Sequence, residues 1–330
     1  MDRRTFCAGF SALTLTGATG ALTAGSAFAQ SGEAWPRRPV KFIVPFAPGA
    51  GADIGARLAA DVLTRKWGQA VIVENRPGGD SLIAIRAVVG ENDDHQFLFS
   101  PAGNFTPHPW RHEKLGYVRE RDLLPIARFS NTVLSVSVSN SLGVTTLKEF
   151  VEVARKRPKE LNAVVVPGIT EFVWDGFTKA TGVDITKVPF TNLVQGAGEM
   201  ATGRIHVTMS SLAIQQPVLQ GGGARLLAVT SRERVSMVKD TPTAREAGVP
   251  SLEVEGLVGL FGPRSVSAEL RKRIGDDVKA IAADPAIAEK LVASGQVPNP
   301  GGADEFSEAI IAQEKQLAEI AKLVGLVRKD

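Results

Sequence analysis

Cysteine is almost absent from this sequence. The one cysteine, Cys7, lies within the first 29 residues, which have the features of a cleavable targeting segment. Without that segment the chain can form no disulfide, no thiolate nucleophile and no cysteine-ligated metal site. No later apolar stretch approaches the roughly 20 residues that a membrane-spanning helix needs. We therefore expect an exported, soluble chain that is stabilised by its hydrophobic core alone.

Residue types that carry catalysis or bind nucleic acid are also scarce. Aromatic residues make up 6% of the chain, and its 38 basic and 35 acidic residues are scattered, which argues against a nucleic-acid surface. Among the four histidines, His108 and His112 are close in sequence, but Pro109 between them disfavours a helix that presents both to a metal. The sequence contains no H-E-x-x-H, G-x-S-x-G, P-loop or EF-hand motif. We expect no enzyme, no catalytic residue, no cofactor and no metal site.

The targeting segment is the first feature that is present. Arg3 and Arg4 form a basic start, residues 8–22 are apolar and small, and Ala-Phe-Ala at 27–29 fits the A-x-A cleavage pattern. The RRTF sequence at the start also resembles a twin-arginine signal, although the usual Leu and Lys after the Phe are missing. We expect export to the periplasm, by either route, with cleavage after Ala29.

The stretch from Val40 to Leu63 predicts a strand, a glycine loop and a helix in series. The β-branched run at its start is typical of a short buried strand, and Ile54, Leu58 and Val62 would form the buried face of the helix. Asp53 can cap that helix. A helix start of this kind leaves backbone N–H groups unpaired, so we expect an anion-binding seat in the loop at residues 49–52.

Two other interpretations of this loop stay open. Gly49, Gly51 and Gly55 miss the dinucleotide pattern G-x-G-x-x-G by one residue, and Glu74 stands near the acidic position of such a site. The loop could also be ordinary α/β geometry with no ligand.

The same order of strand, loop and helix recurs along the chain. It predicts an α/β fold with doubly wound, mainly parallel sheets, in which ligands bind outside the carboxyl ends of the strands. We expect the chain to leave the first sheet near residues 126–138 and to return near residues 251–261. The remaining predicted strands are 70–74, 96–100, 162–166, 186–190, 205–209 and 225–229. A further predicted helix has Leu82, Ile85, Val88 and Val89 inward and is capped by Asp80 or Ser81. The remaining predicted helices are one that begins near Gly196 and those at 147–156, 171–181, 268–283 and 303–323.

Several loop motifs carry a resemblance to a known family. They are PFAPGAGAD from Pro45, VENRPGG from Val73, GVDITKVPF from Gly182, RLLAVTSRER from Arg225, TPTAREAGVP from Thr241 and GLFGP from Gly259. In this order and spacing they resemble the extracytoplasmic solute-binding proteins of the tripartite tricarboxylate transporter family, the TctC-like or Bug receptors. The resemblance covers nearly all of the chain after residue 29.

The resemblance implies a type II periplasmic binding protein fold, in which two lobes close on a small carboxylated solute. Residues 1–29 would be the signal peptide and 30–38 a linker; 39–131 with 256–330 would form lobe 1, and 132–255 lobe 2. In the family, backbone amides and ordered water hold one carboxylate, rather than a clamping arginine. The implied site residues are Phe46, Gly49, Ala50, Gly51, Ala52, Asp53, Asn75, Pro77, Gly78, Gly79, Ser100, Ala102 and Gly103 in lobe 1, and Gly168, Ile169, Thr170, Phe190, Thr191, Asn192, Ser210 and Ser211 in lobe 2.

The chain departs from the family pattern within this site. Ala50 and Ala52 stand where the family usually has Gly and Thr, and Asp80 and Ser81 replace two glycines. Glu171 stands where a His is common, and Ser210 with Ser211 where acidic residues are common. Asp80 is either a helix cap or, if it faces the cleft, a carboxylate that would repel a second acid group and favour an amine. The resemblance therefore predicts the fold but not a citrate-like ligand.

The function implied by the resemblance is a periplasmic receptor, a monomer, that delivers a small carboxylate to the membrane components of a tripartite tricarboxylate-type transporter. Two alternatives remain. The liganded receptor could instead dock on a sensor kinase, or the chain could be an α/β enzyme that uses the glycine crevice for a phosphate-containing ligand.

Overall fold

The computed structural model describes residues 35–190 and 193–329. The predicted targeting segment, and the predicted site residues Thr191 and Asn192, lie outside the described residues. Residues Pro36–Asp330 form one compact unit. The described part of the chain contains no helix with the length and hydropathy of a bilayer-spanning segment.

The described residues form alternating strands and helices. The strands are β1 Val40–Val44, β2 Val71–Asn75, β3 Gln96–Pro101, β4 Leu124–Thr132, β5 Leu134–Ser139, β6 Asn162–Val165, β7 Thr186–Lys187, β8 Val207–Ser211, β9 Ala224–Val229, β10 Gly256–Gly262 and β11 Gln296–Gly301. The α-helices are α1 Gly51–Trp67, α2 Leu82–Glu91, α3 His108–Arg111, α4 Arg119–Asp122, α5 Leu147–Lys156, α6 Ile169–Thr181, α7 Leu193–Gly198, α8 Leu212–Gln220, α9 Ala268–Ala282, α10 Pro285–Ala293 and α11 Ala303–Val324.

Within the described residues, the strands form two separate sheets. The order in the first is β11-β4-β10-β3-β1-β2, and in the second β7-β6-β8-β5-β9. In the first sheet β1 to β4 run in one direction, and β10 and β11 run against them. In the second sheet only β5 runs against its neighbours. The prediction of an α/β fold with mainly parallel sheets is confirmed.

The two sheets repeat one topology. In each, the first parallel strand has the second on one side and the third on the other, and an antiparallel strand separates the third from the fourth. That antiparallel strand is β10 in the first sheet and β5 in the second, and each is the first strand after the chain crosses from the other sheet. The two-lobed arrangement follows, because the antiparallel strand of each sheet is the strand that enters it from the other sheet.

Each lobe has its own core, and helix α11 joins the two. Phe306 and Ile310, in the first half of α11, pack in a core with strands β1, β3 and β10 of the first sheet. Leu317 and Ala321, in the second half, pack in the core of the second sheet. The predicted tail helix therefore covers both lobes along its length.

The predicted buried face of helix α1 is wrong by one residue. The buried positions include Ala56, Ala59 and Leu63, whereas Ile54, Leu58 and Val62 are only half-buried. The helix lies close to the sheet, since a Cβ on Gly55 would stand 3.5 Å from the Phe99 ring. Small residues allow that close approach, so the larger aliphatic ones lie at the edges of the contact.

Most other predicted elements lie within a few residues of the observed ones, with five omissions. The sequence interpretation did not include α3, α4, α8, α10 or β11. Pro109 does not prevent the short helix α3, because it stands in the first turn, where a proline is tolerated. The strand predicted at 186–190 is only the two-residue β7. Strand β11 carries Pro298 and Pro300, which typically indicate a loop, and it is tolerated because β11 is an edge strand of its sheet.

Candidate functional site

The carboxyl ends of β1, β2 and β3 lie at one edge of the first sheet, because these strands are parallel. The carboxyl ends of β6, β7 and β8 lie at one edge of the second sheet for the same reason. The predicted site residues are distributed over the loops that follow these six strands. In sheets of this kind, a ligand crevice forms where the strand order reverses, which here is between β1 and β3 and between β6 and β8.

The loop after β1 is held by the buried carboxylate of Asp53, which is 1% exposed. Its Oδ2 accepts the Gly49 amide at 2.9 Å and Arg57 Nε at 3.0 Å. Burial alone would raise the pKa of Asp53, but the hydrogen bonds from Arg57 and Gly49 outweigh burial and lower it. Asp53 therefore stabilises the helix start from inside the first turn of α1, rather than from the N-cap position, which Ala50 occupies.

Asn75, at the end of β2, completes this brace. Its Nδ2 donates to the Phe46 carbonyl at 2.9 Å and to Asp53 Oδ1 at 2.8 Å, and its Oδ1 accepts Arg57 Nη2 at 2.9 Å. The side-chain hydrogen-bonding groups of Asn75 are thus directed to neighbouring loops. In this arrangement Asn75 and Asp53 hold the loop after β1 in position.

The predicted row of free amides is shorter than expected. The Gly49 amide is used by Asp53, and the Ala50 amide makes a long bond of 3.4 Å to the Ala47 carbonyl. Within residues 35–190 and 193–329, the amides of Gly51 and Ala52 donate to no other group, as expected for the first turn of a helix. The prediction of unpaired amides is therefore wrong for Gly49 and Ala50 and correct for Gly51 and Ala52.

The loop after β2 has an unusual backbone. Gly78 and Gly79 have φ of 106° and 58°, and the non-glycine residues Asp80 and Ser81 also have positive φ, 54° and 68°. The predicted cap on α2 is absent, because neither side chain bonds a free amide of that helix. Ser81 Oγ instead accepts Asn104 Nδ2 at 2.9 Å, which ties this loop to the loop after β3. Pro77, Gly78 and Gly79 are exposed.

The two lobes touch at the loop after β3. A Cβ on Gly103 would stand 2.4 Å from Ile169 Cγ2, and a Cβ on Gly168 would stand 3.3 Å from the Gly103 carbonyl oxygen. Beside this contact, the rings of Trp110 and Phe172 lie 5.6 Å apart, centre to centre. The structure therefore brings together the predicted residues Gly103, Gly168 and Ile169 from opposite lobes.

A second contact between the lobes lies beside α1. Gln296 Nε2 donates to the Gly51 carbonyl at 2.7 Å, and a Cβ on the preceding Gly295 would stand 3.0 Å from Ala213 Cβ at the start of α8. The free amides of Gly51 and Ala52 thus lie near the start of a helix from the other lobe. Gly103 and Gly295 therefore mark two places where the first lobe touches the second.

The other predicted residues of the second lobe are committed to that lobe. Thr170 Oγ1 donates to the Val166 carbonyl at 2.5 Å, and the Phe190 ring packs on Gly196. Ser210 Oγ accepts Gln215 Nε2 at 3.0 Å and is fully buried, while Ser211 is the N-cap residue of α8. In lobe 1, Ser100 is buried and donates to the Pro101 carbonyl, and Ala102 is buried.

An ion-pair network that sequence reasoning missed joins the lobes beside Gly103. Arg111 Nη1 donates to Glu171 Oε2 at 2.7 Å, and Arg111 Nε lies 3.2 Å from Asp80 Oδ2. Lys187 Nζ donates to Glu171 Oε1 at 2.9 Å and to Asp175 Oδ1 at 2.8 Å. We call Asp80, Arg111, Glu171, Asp175 and Lys187 the interlobe cluster. No sequence signal predicts it, because its partners are far apart along the chain.

Charge pairing outweighs burial throughout this cluster. Burial by itself would lower the pKa of Arg111 and raise that of Glu171, yet their mutual bond and their other partners shift both the opposite way. The pKa of Lys187 is likewise raised, against burial, by Asp175 and Glu171. All three side chains are therefore charged at neutral pH.

His108 lies under the cluster as a neutral ring. Its Nε2 must donate to the Asp80 carbonyl at 2.9 Å, so its Nδ1 accepts the Tyr117 hydroxyl at 2.9 Å. Burial is the main cause that lowers the pKa of His108 from 6.5 to about 4, although the Asp80 carboxylate opposes it. The imidazole orients the strained Asp80 backbone and carries no charge at neutral pH.

The lowered pKa of His108 predicts that the free energy of unfolding depends on pH. The unfolded chain binds a proton at His108 below pH 6.5, whereas the folded chain binds it only near pH 4. The stability that the neutral His108 contributes to the folded state is therefore complete above pH 6.5 and is lost as pH falls towards 4. At about 1.4 kcal/mol per pKa unit, it amounts to roughly 3 kcal/mol. We expect His108→Gln to flatten the free energy of unfolding between pH 4 and pH 7, measured by urea titration at each pH. An unchanged slope would contradict the assignment of a neutral His108.

Among the residues that the structure describes, two clusters have the composition of a metal site. The ligand atoms of Asp80, His108 and His112, and those of Asp93, Asp94 and His95, lie within 4.8 Å of one another. In the first, His108 Nε2 carries a proton, and Arg111 Nε lies 3.2 Å from Asp80 Oδ2. The guanidinium group therefore already neutralises the carboxylate that a metal ion would bind. In the second, His95 is held between Asp94 and the Arg37 amide. Both have the arrangement of hydrogen-bonded structural clusters.

A cavity of about 500 Å³ lies elsewhere, between the segments that connect the lobes. Its lining includes Asn131, Arg232, Glu255, Asn299 and Gln313, and none of the predicted site residues. The cavity forms where the crossover strands diverge beside α11. Gly51, Ala52 and Gly103 are not among its lining residues.

Sequence comparison identifies relatives over most of the chain. A model of the family described as tripartite tricarboxylate transporter family receptor matches residues 55–326. The chain is 25% identical over 299 residues to a UPF0065 protein of Bordetella bronchiseptica, covering 90% of this chain and 89% of that protein. It is 24% identical over 313 residues to Protein BugT of Bordetella pertussis, covering 93% and 94%.

Structure comparison agrees. The R. palustris protein Rpa4515, solved with adipate, superposes with a TM-score of 0.77 at 29% sequence identity. The match covers 89% of this chain and 99% of that one. The resemblance inferred from the loop motifs is thereby confirmed, as is the two-lobed fold.

Proposed function

The chain belongs to the family of tripartite tricarboxylate transporter receptors, and we propose that it binds its solute between α1 and the loops of lobe 2. Receptors of this family are periplasmic proteins that capture small carboxylates for a membrane transporter, and they are binding proteins rather than enzymes. For this chain we place one carboxylate of the solute on the free amides of Gly51 and Ala52. Those amides, at the positive end of a 17-residue helix, are the observation that carries the proposal.

The rest of the site follows from how the lobes meet. We propose that one lobe is residues 39–131 with 256–330 and that the other is residues 132–255. These bounds support the proposal because the chain passes from one sheet to the other just before the antiparallel strands β5 and β10. The loops at Gly78 and Gly79 and at Gly168 to Thr170 would close over the solute, with Asp53 and Asn75 holding the floor. Export with cleavage near Ala29, and delivery by a monomer to a tripartite transporter, complete the proposal.

The test is a thermal-shift panel at pH 7.5. Short aliphatic carboxylates such as hexanoate and butanoate should raise Tm, whereas 1-hexanol, inorganic phosphate and ATP should not. A ligand that saturates the folded state at a hundred times its Kd stabilises it by about 2.7 kcal/mol, which corresponds to a shift of several degrees. Stabilisation by phosphate or ATP without any by carboxylates would contradict the proposal and favour a phosphate-binding crevice. Native mass spectrometry of protein from its own host can identify a retained ligand directly.

A further inference from the structure

The interlobe cluster borders the proposed site from both lobes. Asp80 follows Gly79 directly, and Glu171 follows Thr170 directly. Because Asn104 bonds Ser81 and Gly103 touches Ile169, the cluster is joined to the lobe contact through the loops after β2 and β3. The amides of Gly51 and Ala52, on which we place the carboxylate, belong to the start of α1 after the β1 loop, where Gln296 bonds the Gly51 carbonyl. A solute that spans the cleft would direct its second end towards the cluster.

The basic side chains on the described segments that form the site are already paired. Arg57 bonds Asp53, Arg76 bonds Glu74, and Arg111 and Lys187 bond the carboxylates of the cluster. A second carboxylate on the solute would therefore have to break an existing ion pair to gain a cation. Breaking such a pair takes a cation away from a partly buried protein carboxylate, which is unfavourable.

The cluster also carries an excess of negative charge. Asp80, Glu171 and Asp175 oppose Arg111 and Lys187, so with the histidines counted as neutral the sum is one negative charge. A like charge nearby in a partly desolvated cleft is repelled, whereas an uncharged group is tolerated and an ammonium group is attracted. Both the pairing and the sum of charges point the same way.

We propose that the solute carries a single carboxylate and that its opposite end is uncharged or cationic. This inference rests on the proposed function and narrows its ligand class. Asp80 and Glu171 are then specificity-determining residues, since they keep Arg111 from serving as a clamp for a second acid. The receptor would differ in this respect from the relative that was solved with adipate.

The experiment uses matched ligands and isothermal titration calorimetry at pH 7.5. One series is hexanoate, 6-aminohexanoate and adipate, and the other is butanoate, 4-aminobutanoate and succinate. Within each series the length is constant and only the far end changes. We expect the better of the two monocarboxylates to bind at least tenfold more tightly than the dicarboxylate. A dicarboxylate that binds as tightly or more tightly overturns the inference and leaves the proposed function intact, whereas no binding by any carboxylate overturns both.

Charge variants of the cluster test the cause of that preference. Glu171→Gln removes the negative excess, and we expect it to improve dicarboxylate binding relative to monocarboxylate binding by about threefold to tenfold. Asp175→Asn makes the same charge change at a more exposed position and should act in the same direction. Glu160→Gln, in an exposed Arg157 pair, is the matched control and should leave the ratio unchanged. A ratio that stays constant in both folded cluster variants overturns the assignment of specificity to this cluster.

Discussion

Gly103→Val should raise the apparent Kd for a carboxylate ligand by roughly a hundredfold. A Cβ at this position meets only Ile169, at 2.4 Å from Cγ2, so the new side chain acts as a wedge between the lobes. The backbone φ of Gly103 is not in the left-handed region, and the first sheet should fold normally. If the wedge leaves about 1% of molecules able to close, affinity falls by the same factor.

Calorimetry measures the affinity, and small-angle scattering with and without ligand measures closure. Gly90→Val is the control, because nothing lies within 4 Å of a Cβ at Gly90. Ile169→Ala combined with Gly103→Val should restore part of the lost affinity, since it removes the atom that the wedge meets first. Wild-type affinity in Gly103→Val would show that the contact at Gly103 is not part of the ligand-bound state.

Gly51→Pro should weaken carboxylate binding by about tenfold to a hundredfold without unfolding the protein. Gly51 is the first residue of α1, where proline is well tolerated, and Ala50 has the extended conformation that a following proline requires. The substitution therefore removes one amide hydrogen. A hydrogen bond to a charged group is worth about 1.5–3 kcal/mol, which corresponds to the stated loss.

Gly51→Ala is the matched control for this substitution. It adds a Cβ that stands 3.6 Å from the Gln296 side chain, which is an ordinary contact, and it keeps the amide hydrogen. We expect Gly51→Ala to bind like the wild type and both variants to unfold at or above the wild-type Tm. Equal affinities in the proline and alanine variants would rule out the Gly51 amide as a carboxylate donor.

The elements around the cleft could be predicted because their signals are local. The strand, glycine turn and helix at β1 and α1 follow from β-branched residues, proline and glycine close together in the sequence, and the structure agrees at the start of β1 to the residue. The crossover at Val133 was likewise visible as a change to an extended, Ser-rich run. Strand β11 was not, since VPNPG has the composition of a loop and only its position at a sheet edge allows it to pair.

The polar contacts of the site could not be predicted to the same extent. The Arg111 and Glu171 pair joins residues 60 apart in sequence, and no local pattern specifies such a pair. The role of Asp53 was partly within reach, because an acidic residue in the third helical position often bonds an amide at the helix start. The capping role expected for Asp80 failed because its positive φ and its partners His112 and Arg111 direct the carboxylate away from α2.

The central claim is that backbone amides at the start of α1 hold the carboxylate of the solute. Its most direct test is a two-dimensional ¹H–¹⁵N spectrum recorded during titration with the tightest carboxylate of the panel. The claim predicts that the amide protons of Gly51 and Ala52 shift downfield more than any others in lobe 1, while that of Gly49, already bonded to Asp53, moves little. Saturable binding that leaves Gly51 and Ala52 unmoved, with the large shifts elsewhere, would contradict it.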